Sequence, residues 1–184
     1  MVSKIWNWIT FQRKKVSLGK GVYVRGFIFV HGRKGGISLG DNCTIYSSEN
    51  VNPTSGFNHT HLTVGEGASL SIGKNVGMSH VNITANKKVM IEDNVLIGSG
   101  VKIWDCDFHP LDYSERMNKP DAKGSSKEVL IGEGAFIGAC SIILKGVHIG
   151  KHSIVGAGSV VTKDIPENEI WGGNPAKYIR GGGI

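Results

Sequence analysis

The 184-residue chain has no Asp or Glu in its first forty residues, only three cysteines and five prolines, and no long apolar run. Each shortage excludes something. No window approaches the ~18 uninterrupted apolar residues of a membrane-spanning helix. The first apolar stretch, Ile5 to Phe11, is interrupted by Asn7 and Thr10 and runs into Arg13-Lys14-Lys15, which is not the pattern of a secretion signal. Cys43, Cys106 and Cys140 are too few, and odd in number, for a disulfide framework, and they fit a cytoplasmic setting. Glycine, by contrast, is abundant at 27 residues, about twice the usual share of ~7%. It lacks the every-third-residue period of collagen. Hydrophobic residues make up 40%, enough for a packed core.

Charge is distributed unevenly. Residues 1–40 hold eight Lys/Arg, whereas the other 144 residues hold 13 Lys/Arg against 15 Asp/Glu. The formal charge of +6 therefore belongs to the N-terminal end. Such an end is either a solvated face or a surface attracting something anionic, such as a membrane, a lipid diphosphate or an acidic glycan. Nothing in the pattern points to nucleic acid.

A repeat dominates what is present. Ile131, Ile137, Ile143, Ile149, Val155 and Val161 recur every six residues without a slip. The same period joins Ile91, Ile97 and Ile103, then Leu39, Ile45 and Val51, and the pairs Leu18/Val24, Val64/Leu70 and Ile72/Met78. Six fits neither an α-helix nor a simple alternating strand. It fits a chain that turns a corner every hexapeptide, points one aliphatic side chain inward on each side, and stacks its coils as parallel sheets. Six or so coils at ~4.8 Å each predict a prism about 30 Å long.

The interruptions are informative too. Ile103 and Ile131 lie 28 residues apart, so one hexapeptide leaves an excursion of 22 residues around Asp105 to Lys127. It is polar, contains Pro110, Pro120 and Gly124, and reads as a loop of the length usually reserved for function. Phase slips near 25–37 and 52–62 predict smaller loops. The spacing of Ile5, Trp8 and Ile9 predicts a short helix over 3–15, serving either to plug the open end of the β-helix or to lie on a membrane. The tail from Trp171 is expected to begin as a turn and end in a short helical piece. The resulting division is 1–15 as a cap or anchor, 16–165 as the repeat with a loop at 104–128, and 166–184 as the tail.

Few residues suit chemistry. His109, in Asp105-Cys106-Asp107-Phe108-His109-Pro110, opens the long loop and is the best candidate general base, since neutral imidazole accepts a proton near pH 7. Asp107, two residues away, could orient its ring, as could a backbone carbonyl. His59-x-His61 could be half a metal site, but without a third ligand nearby it reads rather as polar loop residues. His148 and His152 suit the surface or subunit contacts, and His31 and His80 carry no motif. Cys140 could be a nucleophile, but with no Lys or His beside it in sequence it is expected to be a small residue tucked into the coil. Lys163 and Arg180 could hold a phosphate-bearing cofactor.

The repeat, the Asp-x-His-Pro segment, the stretch Val155–Pro166 and the tail Gly173-Asn174-Pro175-Ala176-Lys177 resemble the hexapeptide-repeat acyltransferases, with closest similarity to the galactoside, maltose and colanic-acid O-acetyltransferases. The resemblance runs from about Ile91 to Arg180, loosens over Leu18–Ile83 and does not cover 1–15. It implies an all-β fold, a left-handed parallel β-helix, assembled as a homotrimer with acetyl-CoA between neighbouring subunits and no metal. It further implies that His109 is the base and that Ala139 and Ala157 lie along the pantetheine arm. Thr162, Lys163 and Arg180 would lie toward the nucleotide. The acceptor would be a sugar hydroxyl, of a polysaccharide or lipid-linked glycan precursor. The absence of acids in 1–40 departs from the sugar acetyltransferases and leaves the acceptor open. Weak, salt-reversible association with anionic membranes through residues 1–40 is the corresponding expectation. A γ-type carbonic anhydrase and a non-catalytic trimeric scaffold are the competing readings. A sugar-nucleotide N-acetyltransferase would need an added domain for which the residues before Leu39 leave no room.

Overall fold

The computed structural model describes residues 2–48, 59–119, 122 and 124–182. Val51 and Pro120, and the 52–58 part of one expected loop, lie outside them. The chain winds around three parallel sheets. The first face stacks Ser17–Leu18, Ile37–Leu39, Ser69–Ile72, Lys88–Ile91, Val129–Ile131 and His148–Ile149. The second stacks Tyr23–Gly26, Thr44–Ser47, Gly77–Ser79, Leu96–Ile97, Phe136–Ile137 and Ile154–Val155. The third stacks Ile28–Gly32, Thr60–Val64, Asn82–Ala85, Lys102–Trp104, Ile142–Ile143 and Val160–Val161.

The register explains the sequence period. Ile131 pairs with Ile149, Ile137 with Val155 and Ile143 with Val161, so one coil takes three hexapeptides. Across the interruption, Ile91 pairs with Ile131, Ile97 with Ile137 and Ile103 with Ile143. That separation exceeds one coil by the 22 residues assigned to the excursion. The aliphatic of each hexapeptide is fully buried from Ile131 to Val161. A second inward position, two residues earlier, carries Val129, Ala135, Ser141, Val147, Ser153 and Ser159, all buried. Small residues fit there because the chain is entering a strand from a corner. Their hydroxyls are satisfied: Ser141 Oγ donates to the Gly156 carbonyl at 3.0 Å and Ser153 Oγ to the Pro166 carbonyl at 2.5 Å.

Corners need left-handed backbone, which Asn tolerates better than other residues with a side chain. Asn42, Asn75 and Asn94 take it at φ of 58°, 55° and 61°. Their side chains stack as a ladder, Asn42 Nδ2 to Asn75 Oδ1 at 3.3 Å and Asn75 Nδ2 to Asn94 Oδ1 at 3.0 Å. Cys140 occupies such a corner as well, at φ 61°, and is exposed rather than tucked into the coil.

Three further expectations are corrected. Residues 25–37 are mostly strand, with only Arg33–Gly36 left between Ile28–Gly32 and Ile37–Leu39. Leu18 keeps its register with Leu39 yet is 42% exposed, because the first coil has no coil beneath it. The tail contains no helix among its described residues. Glu169–Gly172 adds to the second sheet in parallel with Ile154–Val155, and Lys177–Gly181 returns antiparallel to it, burying Trp171 and Ala176 over the last coil. At the other end a helix, α1 (Val2–Lys14), lies across the first coils. Its buried Asn7 donates Nδ2 to the Gly26 carbonyl at 2.8 Å and accepts from the Ile28 amide at 3.1 Å.

Candidate functional site

The excursion leaves the third face at Trp104 and returns to the first face at Val129. It is an arm with a stem. Asp105 is completely buried at the root, and its carboxylate accepts from the backbone amides of Asn86, Lys87 and Lys88, each at 2.7 Å. The two limbs then run antiparallel: Cys106 bridges to Ser126, the Asp107 amide donates to the Ser125 carbonyl at 2.9 Å, and the Lys127 amide donates to the Asp105 carbonyl at 2.8 Å. Gly124 is required beside this stem, since a Cβ there would stand 2.3 Å from the Asp107 carbonyl oxygen and 2.5 Å from that of His109. Beyond the stem lies a one-turn helix, α2 (Tyr113–Asn118), capped by Asp112, whose Oδ1 accepts from the Glu115 amide at 2.7 Å. Burial, reinforced by the charge of Asp105, pushes the Cys106 thiol above its ordinary range, which keeps it protonated and unreactive.

His109 sits on the outgoing limb, exposed, with buried Pro110 after it. No side-chain hydrogen bond to its imidazole occurs among the described residues. No hydrogen bond joins it to Asp107 among the described residues. The Asp107 carboxylate is taken by Lys145 Nζ, which also meets Ser125 Oγ, and Ser125 Oγ donates to Asp107 Oδ2 at 3.1 Å. Asp107 thus fastens the arm to the corner carrying Lys145. Lys145 and Ser125 were not singled out from the sequence. The signal was there: Lys127, Lys145 and Lys163 are spaced by one coil each, so they stack at one corner beside the arm.

The cofactor candidates fall at two corners flanking the third face. Ala139 and Ala157 occupy equivalent positions of successive coils, with the Gly158 amide donating to the Ala139 carbonyl at 2.8 Å. The corner is tight: a Cβ on Gly138 would stand 2.5 Å from the Ala157 nitrogen. Ala139 is half-buried and Ala157 exposed, so small side chains face outward at this corner. At the other corner Thr162 and Lys163 are exposed, and Lys163 Nζ lies 5.2 Å from the centre of the Trp171 ring. Between the corners lie Ile142 and Val160, half-buried on the outer side of the third face. Arg180 stands apart on the tail strand, paired with Ile170 on the second face.

The arm also presents apolar side chains outward: Phe108, Leu111, Tyr113 and Met117 are 50%, 78%, 69% and 62% exposed. Leu96 and Phe136, neighbours on the second face, are 56% and 44% exposed. His148 is exposed on the first face, and His152 is exposed at a left-handed corner.

Residues 128–163 match the family model described as bacterial transferase hexapeptide (six repeats). Over these residues the chain is similar to the hexapeptide-repeat transferases. It is 37% identical over 115 residues to the galactoside O-acetyltransferase of Escherichia coli, covering 62% of this chain and 55% of that one. It is 30% identical over 123 residues to gamma carbonic anhydrase 2, mitochondrial, of Arabidopsis thaliana, covering 65% and 36%. The solved galactoside acetyltransferase in complex with coenzyme A superposes with a TM-score of 0.66 at 26% identity, over 100% of this chain and 74% of that one. The chain thus spans about half the length, or less, of these two curated relatives. The family match and the superposition make the fold a left-handed parallel β-helix.

Proposed function

We propose that the protein is an acetyl-CoA-dependent O-acetyltransferase acting on a sugar hydroxyl, working as a homotrimer. The observation that carries this reading is the stemmed arm. It holds an exposed histidine beside a face whose two corners carry small residues on one side and a lysine column on the other. The relatives of acetyltransferase name, and the neighbour solved with coenzyme A, support the choice of co-substrate. The residues present fit it: the small side chains of Ala139 and Ala157 would let an extended pantetheine arm approach the coil, while Lys163 and Thr162 offer charge and a hydroxyl for phosphates. Arg180 is assigned to the same phosphates in the assembled trimer. Acetyl-CoA supplies an activated thioester.

A sugar hydroxyl is a weak nucleophile near neutrality, and His109 removes its proton as the oxygen attacks. The imidazolium so formed can return that proton to the departing sulfur. Backbone N–H groups at the coil corners are the donors available to a developing oxyanion. Asp107 acts through Lys145 and Ser125, fixing the limb that carries His109. The exposed rings and aliphatics of the arm, with Leu96 and Phe136, support the trimer, because a neighbouring coil would cover them. A cytoplasmic enzyme acting on lipid-linked glycan precursors, drawn to anionic membrane through its basic end, completes the reading.

The carbonic anhydrase reading has less support. Among the described residues no three His, Cys, Asp or Glu side chains gather as metal ligands, so such a site would have to be assembled between subunits. Mass spectrometry of reactions containing acetyl-CoA and candidate glycans, lipid-linked ones included, tests the proposal. An added 42 Da (about one acetyl group) on a glycan hydroxyl is the expected product, and Cys140→Ser should retain it. Loss of transfer in Cys140→Ser, with acetyl trapped on the wild-type protein, would overturn direct transfer.

A further inference from the structure

Helix α1 is amphipathic in the wrong sense for a simple plug. The side it turns to the coil is largely polar: Asn7 is buried and Ser3, Thr10 and Lys14 are half-buried, with Phe11 the one buried apolar residue. The side it turns to solvent carries Val2, Ile5, Trp8 and Ile9, at 73%, 55%, 64% and 40% exposed. Trp6 is tethered, its Nε1 donating to the Ile28 carbonyl at 3.2 Å, while Trp8 has no such bond among the described residues. Packing against the first coil therefore satisfies the polar stripe and leaves the apolar one uncovered. A contiguous exposed stripe of this kind marks a surface that something else covers.

Charge decides what covers it. Lys4, Arg13 and Lys15 are exposed on or beside the helix, and Lys14 donates Nζ to the Gly32 carbonyl at 2.8 Å. The coil beneath adds Lys20, Arg25, Arg33 and Lys34, and no acid occurs before Asp41. Two such ends from separate molecules would repel each other, whereas an anionic surface would attract each. At 13 residues the helix is about 20 Å long, too short to cross a bilayer of ~30 Å and suited to lying in its interface. Tryptophan beside Lys/Arg is the composition of that layer.

We infer that the outward face of α1, formed by Val2, Ile5, Trp8 and Ile9 and ringed by Lys4, Arg13 and Lys15, docks the protein onto anionic lipid bilayer. This deepens the proposed function, on whose trimer it draws for one step: a threefold axis parallel to the coils puts three copies of α1 at one end. Three weak contacts on one plane then act together. Each alone would be marginal.

Co-sedimentation with vesicles of phosphatidylcholine, with and without phosphatidylglycerol, tests it on the full chain. Binding is expected only with phosphatidylglycerol, weakening from low to high salt, with a blue shift of tryptophan emission that Trp8→Ser abolishes. The double variant Ile5→Ser/Trp8→Ser should bind at least about tenfold more weakly, with unchanged melting and unchanged mass by light scattering. Arg13→Gln/Lys15→Gln should reduce the salt dependence. His109→Ala should bind as the wild type does, so failure of docking and failure of catalysis are read separately. Absence of wild-type binding at low salt would overturn the inference. So would binding unaltered in Ile5→Ser/Trp8→Ser, or a larger oligomer that this variant dissolves, since another copy would then be what covers the face.

Discussion

The coils from Val129 to Ile165 and the arm from Asp105 to Lys127 are neighbours held together by opposite means. The coils carry one aliphatic and one small buried residue per hexapeptide, and their polar atoms are consumed by parallel ladders and corners. The arm buries little; its fixed geometry comes from Asp105 at three amides and from Asp107 with Lys145 and Ser125. Burial of apolar surface is roughly additive and tolerant of sequence, whereas a few charge-assisted bonds fix one geometry and fail singly. The coil is therefore a support tolerant of substitution, whereas a few polar bonds hold the limb that carries His109 in place.

His109→Ala should break the comparison most sharply. Turnover is expected to fall about a hundred- to ten-thousand-fold, the usual worth of a positioned base. Melting should not change, because the side chain is exposed. Steady-state kinetics and a thermal melt read both, and a lowered melting temperature would mean that the arm helps hold the fold. Ile137→Ala is the converse case. It should cost about 2–5 kcal/mol in denaturant unfolding while sparing turnover per folded molecule. Asp105→Ala lies between, since three amides lose an ionised acceptor. It should cost about 2–4 kcal/mol and lower turnover as well, with Asp105→Asn recovering part of both.

Two lysines at one corner sharpen the contrast further. Lys145 is engaged by the arm, so Lys145→Ala should lower kcat several-fold with the KM for acetyl-CoA nearly unchanged. Lys163 lies over Trp171 beyond the arm, so Lys163→Ala should raise that KM about three- to tenfold and lower kcat less. Unchanged cofactor affinity would remove Lys163 from the phosphate site.

The smallest effect concerns pH. His80 is 2% exposed, with Nδ1 3.1 Å from Ser99 Oγ, and burial lowers its imidazole below the ordinary value near 6.5. The unfolded chain binds that proton more readily than the folded one. Stability from this group is therefore full above about pH 6.5 and declines as pH falls toward the depressed value. His80→Asn, which accepts the same left-handed backbone, should flatten the acid side of a melting profile without altering it near pH 8.

The six-residue period was enough to define the coil. A period of six with one aliphatic per hexapeptide allows one way to bury every aliphatic at once, and the count of residues between Ile103 and Ile131 set the size of the arm. The 18-residue spacing of Lys127, Lys145 and Lys163 reveals a column across unbroken coils, but not which residue of an insertion meets it, because an insertion has no register with the coils. Lys145 thus met Asp107 only in three dimensions. The ends, too, were decided by tertiary structure. Helical spacing gave α1 its existence, but the unpaired Gly26 carbonyl and Ile28 amide of the first coil drew Asn7 inward and so turned Ile5 and Trp8 to the outside. At the far end the open edge after Ile154–Val155 recruited the tail as strands, because an unfilled sheet edge rewards backbone pairing more than a short tail rewards helix.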